Sequence, residues 1–207
     1  LWLLRSKSDR LAPGFGTLAV LARETTVLLS VCVAGAAALR CWKGKSLNRG
    51  LLFVVPILAG VAWQLYLRLN WGHFASSDTG TMGLPFVSFV TSLVDKTTFS
   101  SGQEIAGFAQ MLLVAGFAVA VGFALPKSVA APHEKAAWVL YAALACIVSG
   151  NVWSEDWSFL RNLWELYVFG AVILMTSTSR AKIPFFACWG ALWVFEMLLR
   201  TDLHKTL

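Results

Sequence analysis

The chain has little charge. Asp, Glu, Lys and Arg make up 14% of its 207 residues, against 57% hydrophobic ones and a mean hydropathy of +0.67. A soluble domain of this length cannot hide that much apolar surface, so a water-soluble globular fold is excluded and an integral membrane protein is expected. Histidine is scarce. His73, His133 and His204 fall in expected loops far apart, which leaves no support for a metal site or a His-based triad. The four cysteines show no C-x-x-C spacing: Cys32, Cys146 and Cys188 lie in apolar runs and Cys41 in a basic loop, so they read as packing residues. No metal and no cofactor is expected. Internal repeats, low-complexity stretches and a secretory signal pattern are also lacking.

What is present is a series of apolar runs long enough to cross a bilayer. Taking about 17–25 residues as a span, five ordinary ones are expected, at 49–69, 104–125, 135–152, 159–179 and 183–199. The fold class predicted is an all-α polytopic transmembrane bundle forming a single domain. Leu1-Trp2-Leu3-Leu4 followed by Arg5, Lys7 and Arg10 reads as the last turn of a span that begins outside the sequence, so the chain is expected to be a fragment, the carboxyl-terminal part of something longer.

Ahead of the five spans, the apolar run 11–39 is interrupted by Arg23, Glu24, Thr25 and Thr26. An isolated charge at that depth costs about 2.5–3.5 kcal/mol by insertion scales. Two readings offset it: a buried structural pair, or a polar site at membrane depth that holds a charged ligand. Charge placement bears on the choice. If the spans alternate, the segments 40–49, 126–135 and 180–182 share one side and are basic, which the positive-inside rule makes cytoplasmic. Arg5, Lys7 and Arg10 are equally basic, so a single crossing of 11–39 would put one strongly basic segment outside. A broken, re-entrant hairpin turning at Arg23-Glu24 removes the conflict and gathers eleven Lys and Arg on the cytoplasmic side against Asp9 and Glu134. The alternative is one long tilted span with Arg23 and Glu24 facing other helices. The net charge of +6 is thereby assigned to orientation, and no nucleic-acid partner is expected.

Two outer segments complete the pattern. From Pro85 to Val94, the residues Phe86, Val87, Val90, Leu93 and Val94 recur at helical spacing opposite Ser88, Thr91, Ser92 and Asp95. Ten residues cannot span, so 85–94 is expected to be an external interfacial helix, either a lid on the bundle or a wall of a groove. The stretch from Trp153 to Asn162 holds Glu155, Asp156 and Arg161. Arg161 and Glu165, four apart, either pair on one helix face or leave Arg161 to meet an anionic lipid head group; Glu196 and Arg200 repeat the spacing.

The order of these motifs carries a resemblance. A broken helix with Leu21-Ala22-Arg23-Glu24-Thr25 at its outer break, a basic loop, Trp63-Gln64-Leu65-Tyr66-Leu67-Arg68, Gly83-Leu84-Pro85-Phe86 and Trp157-Ser158-Phe159-Leu160-Arg161 together resemble the carboxyl-terminal half of bacterial multi-spanning GT-C-type glycosyltransferase-like proteins. The resemblance implies transfer of a sugar from a polyprenyl-phosphate carrier at the outer face of the bacterial cytoplasmic (inner) membrane. It also implies that a basic residue at the broken helix, by position Arg23, approaches the carrier phosphate, with Glu24 and Arg161 as further substrate-binding residues. In such proteins the catalytic carboxylate usually lies upstream of anything in this chain, so activity would require the missing amino-terminal half. Asp78, Glu155 and Asp156 show no spacing that identifies a general base. The competing expectation is a non-catalytic membrane scaffold or subunit. A transporter would show broken helices in both halves, and only one is seen.

Overall fold

The computed structural model of the chain describes residues 11–43, 49–72, 84–98, 102–148, 153 and 163–178, together with seven positions between 182 and 194. The segment 1–10 and most of the expected span 183–199 lie outside the described residues. The fold is all-helical, with no strand among the described residues. The α-helices are α1 (Ala12–Ala22), α2 (Val27–Trp42), α3 (Val54–Trp71), α4 (Val87–Asp95), α5 (Gly102–Ala124), α6 (Pro132–Ile147) and α7 (Trp164–Met175). They belong to two compact units: residues up to Thr79 with Ala131–Tyr141, and Gly80–Ala130 with Ala142 onward.

In the first unit the apolar run breaks at a single residue. Pro13 sits in the first turn of α1, where its missing N–H is harmless. The helix ends at Arg23, whose backbone is extended (φ −154°, ψ 112°) while its N–H still donates to Ala19 O at 2.8 Å. A 3-10 turn, Glu24–Thr26, follows before α2 begins. Thr25, Thr26 and Val27 are consecutive β-branched residues, which lose side-chain freedom against a preceding helical turn, so this is the weakest point of the run for continuing a helix.

The two arms then pack against α3 in opposite senses. A Cβ placed on Gly16 would lie 3.2 Å from Pro56 Cγ, and one on Gly60 would lie 2.9 Å from Val20 Cγ1, so α1 runs beside α3 in the same direction. On α2, Val27 is beside Gly60, whereas Val33 and Ala34 cluster with Phe53 and with Ala12 at the start of α1, so α2 returns antiparallel to both. Small residues at the crossings let the backbones approach closely. At its far end α3 stops at Gly72, whose φ of 77° is the left-handed conformation glycine adopts without strain and whose N–H donates to Arg68 O at 2.9 Å.

The unit is completed by the start of α6. Ala131 N–H donates to Glu134 Oε2 at 2.9 Å, the returning half of a capping box, with Pro132 at the first helical position. Glu134 has no exposed surface. Glu134→Ala is therefore expected to lower stability by about 1–3 kcal/mol, since a buried amide loses its acceptor. Glu134→Gln, which keeps a carbonyl oxygen, should lose less. Thermal unfolding of the two purified variants compares them.

In the second unit, α5 and α7 run side by side in the same direction. The Phe117 and Tyr167 rings are 5.7 Å apart. About ten residues later in both helices, Val129 N–H donates to Thr176 O at 3.3 Å and the Ser128 and Thr176 hydroxyls are 2.7 Å apart. Met111, Val121, Ile173 and Leu174, all fully buried, fill this unit. Lys182 Nζ donates to Ser177 O at 3.2 Å, which brings the basic segments around Lys127 and Lys182 to one end.

The short helix α4 starts two residues after Pro85. Phe86 precedes it with φ at 61°, strained for a residue with a side chain, and its N–H is held by Cys146 O at 2.8 Å. Phe89 meets Trp153 edge to face at 5.0 Å. Ser92 is buried, while Val87, Val90 and Val94 are at least half exposed. Val87, Val90 and Val94 thus face away from the protein, as do Thr91 and Asp95, while Leu93 is half-buried.

Two stretches, Leu51–Trp71 and Glu104–Lys127, are long and apolar enough to cross a membrane. The apolar helices α1, α2 and α7 are shorter. At 1.5 Å per residue α1 rises only about 17 Å and α2 about 24 Å, less than a ~30 Å hydrocarbon core. Leu58, Val61 and Leu65, on successive turns of α3, are each about half exposed or more.

Candidate functional site

The break at Arg23 can be placed in depth along α3. Gly60, beside both Val20 and Val27, is nine residues from Leu51 and eleven from Trp71, about 14 and 17 Å along the helix. Arg23 is one turn beyond Val20 in a helix parallel to α3, which puts it near the level of Trp63 and Gln64, a few ångströms past the middle of that span on the Trp71 side.

At this level the polar groups of the break meet polar groups of the surrounding helices. The Tyr141 hydroxyl, with the side chain 3% exposed, donates to Thr25 O at 2.8 Å. That carbonyl belongs to the 3-10 turn, so the bond ties the break to α6. Gln64 is one turn after Gly60 and therefore on the α3 face that meets the hairpin, half-buried and engaged within the protein. Arg23 is likewise half-buried and has a partner within the protein. A guanidinium carries five N–H donors and can serve several acceptors at once.

Of the residues singled out from the sequence, Arg23 stands at this break and Glu24 opens the 3-10 turn beside it. The Glu24 side chain and all of Arg161 lie outside the described residues, as do Asp78, Glu155, Asp156, Glu196 and Arg200. Among the described residues no three His, Cys, Asp or Glu side chains gather as metal ligands would.

The chain matches no protein-family model, no curated protein and no solved structure.

What the site can do therefore follows from its own chemistry. It combines a cation, interrupted helical backbone and side-chain amide and hydroxyl groups beside the middle of a long apolar helix. Such an arrangement suits a polar or anionic group that enters from the lipid, because irregular backbone at this depth is tolerated only beside protein or a polar cavity. Tyr141 is the member that sequence reasoning passed over. Its signal was present: a phenol in the apolar run Ala136–Val148 seeks a hydrogen-bond acceptor when buried. The acceptor, 116 positions away, had no local signature.

Proposed function

We propose that this protein is a polytopic membrane protein of the bacterial cytoplasmic membrane and the membrane-embedded part of a GT-C-like glycosyltransferase, with the break at Arg23 holding the phosphate of a polyprenyl-phosphate-linked sugar. The observation that carries the reading is the half-buried Arg23 at an extended residue between two helical arms, a few ångströms past the middle of an apolar span. Arginine suits a phosphate because its planar fork donates two parallel hydrogen bonds, which lysine cannot reproduce. The exposed valines of α4 support a helix that lies in the membrane interface with its apolar stripe in lipid. The exposed apolar residues of α3 suit lipid as well.

Binding of a short-chain polyprenyl phosphate to the intact protein in lipid nanodiscs tests this. Hydrogen bonds to charged groups contribute about 1.5–3 kcal/mol each. Arg23→Lys should raise Kd about tenfold and Arg23→Ala about a hundredfold, with insertion and thermal stability near those of the parent. Folded variants that bind the carrier as tightly as the parent would make Arg23 structural.

A second reading, a non-catalytic scaffold, is favoured by the hydrogen bond from Tyr141 to Thr25 O, which braces the break from inside the protein. On that reading Arg23 serves its protein partner alone, and carrier phosphate does not bind.

A further inference from the structure

The second compact unit contains a polar side chain that the Arg23 reading does not use. Gln110 of α5 is 4% exposed, and its Oε1 accepts no hydrogen bond among the described residues. It lies in a buried stripe that is otherwise apolar toward the end of the helix, through Met111, Val114, Phe117 and Val121. A buried amide carbonyl left unsatisfied opposes folding, so this oxygen calls for a partner from outside that stripe.

Two charged residues flank it on the same face. One turn back from Gln110, Gly107 has no side chain, and the stem of Lys96 lies across the gap: a Cβ on Gly107 would be 3.2 Å from Lys96 Cδ and 2.7 Å from its Nζ. A turn further back, Glu104 Oε2 accepts a hydrogen bond from Thr98 Oγ1 at 2.7 Å. Residues 104 and 107, and 107 and 110, are each three apart and so are neighbours on the helix surface. Helical side chains lean toward the amino terminus, so the Gln110 side chain covers the turn that contains Gly107.

We propose that Lys96, Glu104 and Gln110 form a binding site for a hydroxyl-rich group, the sugar or polyol part of a ligand, in the elbow between α4 and α5. A hydroxyl both donates and accepts, and this face offers an amide oxygen and a carboxylate as acceptors with an ammonium between them as donor. The acceptors are six residues apart, about 9 Å along the helix, a span on the scale of one sugar ring with its hydroxyls. The charges of Lys96 and Glu104 offset each other, so a neutral polyol fits better than a phosphate. Both keep their protein contacts; an ammonium has three donors and a carboxylate about four acceptor positions, enough for protein and ligand together. The missing side chain at Gly107 is what lets the Lys96 stem lie against α5. These residues are in a different compact unit from Arg23, so this site and the carrier-phosphate reading can fail separately.

The test is the melting temperature of the intact protein in phosphatidylcholine nanodiscs, alone, with monoglucosyldiacylglycerol in the bilayer, or with free glucose in the buffer. The glucolipid is expected to raise Tm of the parent by several degrees, and to leave Gln110→Leu and Gly107→Ala unmoved. In plain phosphatidylcholine, Gln110→Leu should melt about 3 °C or more above the parent, because an unsatisfied polar group has been removed. An equal rise with free glucose, lost in both variants, supports the same site with a soluble sugar as its ligand. No rise in the parent with either sugar, or the same rise in all three proteins, overturns the proposal and leaves Gln110 with bound water alone. So does a Gln110→Leu protein that melts well below the parent in plain phosphatidylcholine.

Discussion

Gly60→Leu is expected to disrupt the packing of α1 and α2 on α3, lowering stability by more than about 3 kcal/mol, at or above the usual upper range for overpacking. The reason is geometric. A Cβ at position 60 already falls 2.9 Å from Val20 Cγ1 and 3.7 Å from Val27 Cγ2, one on each arm beside the break. Valine is short and branched, so neither methyl can swing aside as the end of a long chain would. Gly60→Ala should cost about 1–3 kcal/mol. Adding Val20→Ala to Gly60→Ala should restore much of that, giving a coupling of about 1 kcal/mol or more in a double-mutant cycle. Denaturant titration of the purified proteins measures all four corners. If Gly60→Leu unfolds at the parental midpoint, the hairpin does not pack on α3 through this face.

The second large effect is expected at Tyr141. Tyr141→Ala removes a nearly fully buried ring and the donor to Thr25 O, and should cost about 3–5 kcal/mol, as for other buried aromatic truncations. Tyr141→Phe separates the two contributions. It keeps the ring and removes only the hydroxyl that donates to Thr25 O, for a loss of about 0.5–1.5 kcal/mol, the usual net worth of one hydrogen bond. Faster hydrogen exchange at the 3-10 turn Glu24–Thr26 should accompany the Phe variant, since that turn loses its hydrogen bond from α6. Parental stability and exchange in Tyr141→Phe would mean that water satisfies the Thr25 carbonyl equally well.

The helices and the break belonged to the local sequence. Apolar runs of sufficient length are read directly, and the charged pair Arg23-Glu24 inside one of them marks where the helix is interrupted. α5 occupies Gly102–Ala124 where 104–125 was read, 85–94 became Val87–Asp95 because Phe86 turns left-handed before the helix, and α6 runs over Pro132–Ile147 where 135–152 was read. Period alone also sorted the α4 residues into two faces. It could not say which face the protein covers, and the buried side proved to carry Ser92 while the valines point outward.

By itself the sequence determined that the chain is helical, rich in apolar helix and interrupted at Arg23, because each of these depends on neighbours within a few positions. Tertiary structure alone decided that the break lies beside the middle of α3, that Gly60 must be small, that Tyr141 donates to the Thr25 carbonyl and that Gln110 is buried. Each of those depends on which face of one helix meets another. Contacts between residues separated by tens of positions set that choice, and no periodicity within a single run records it.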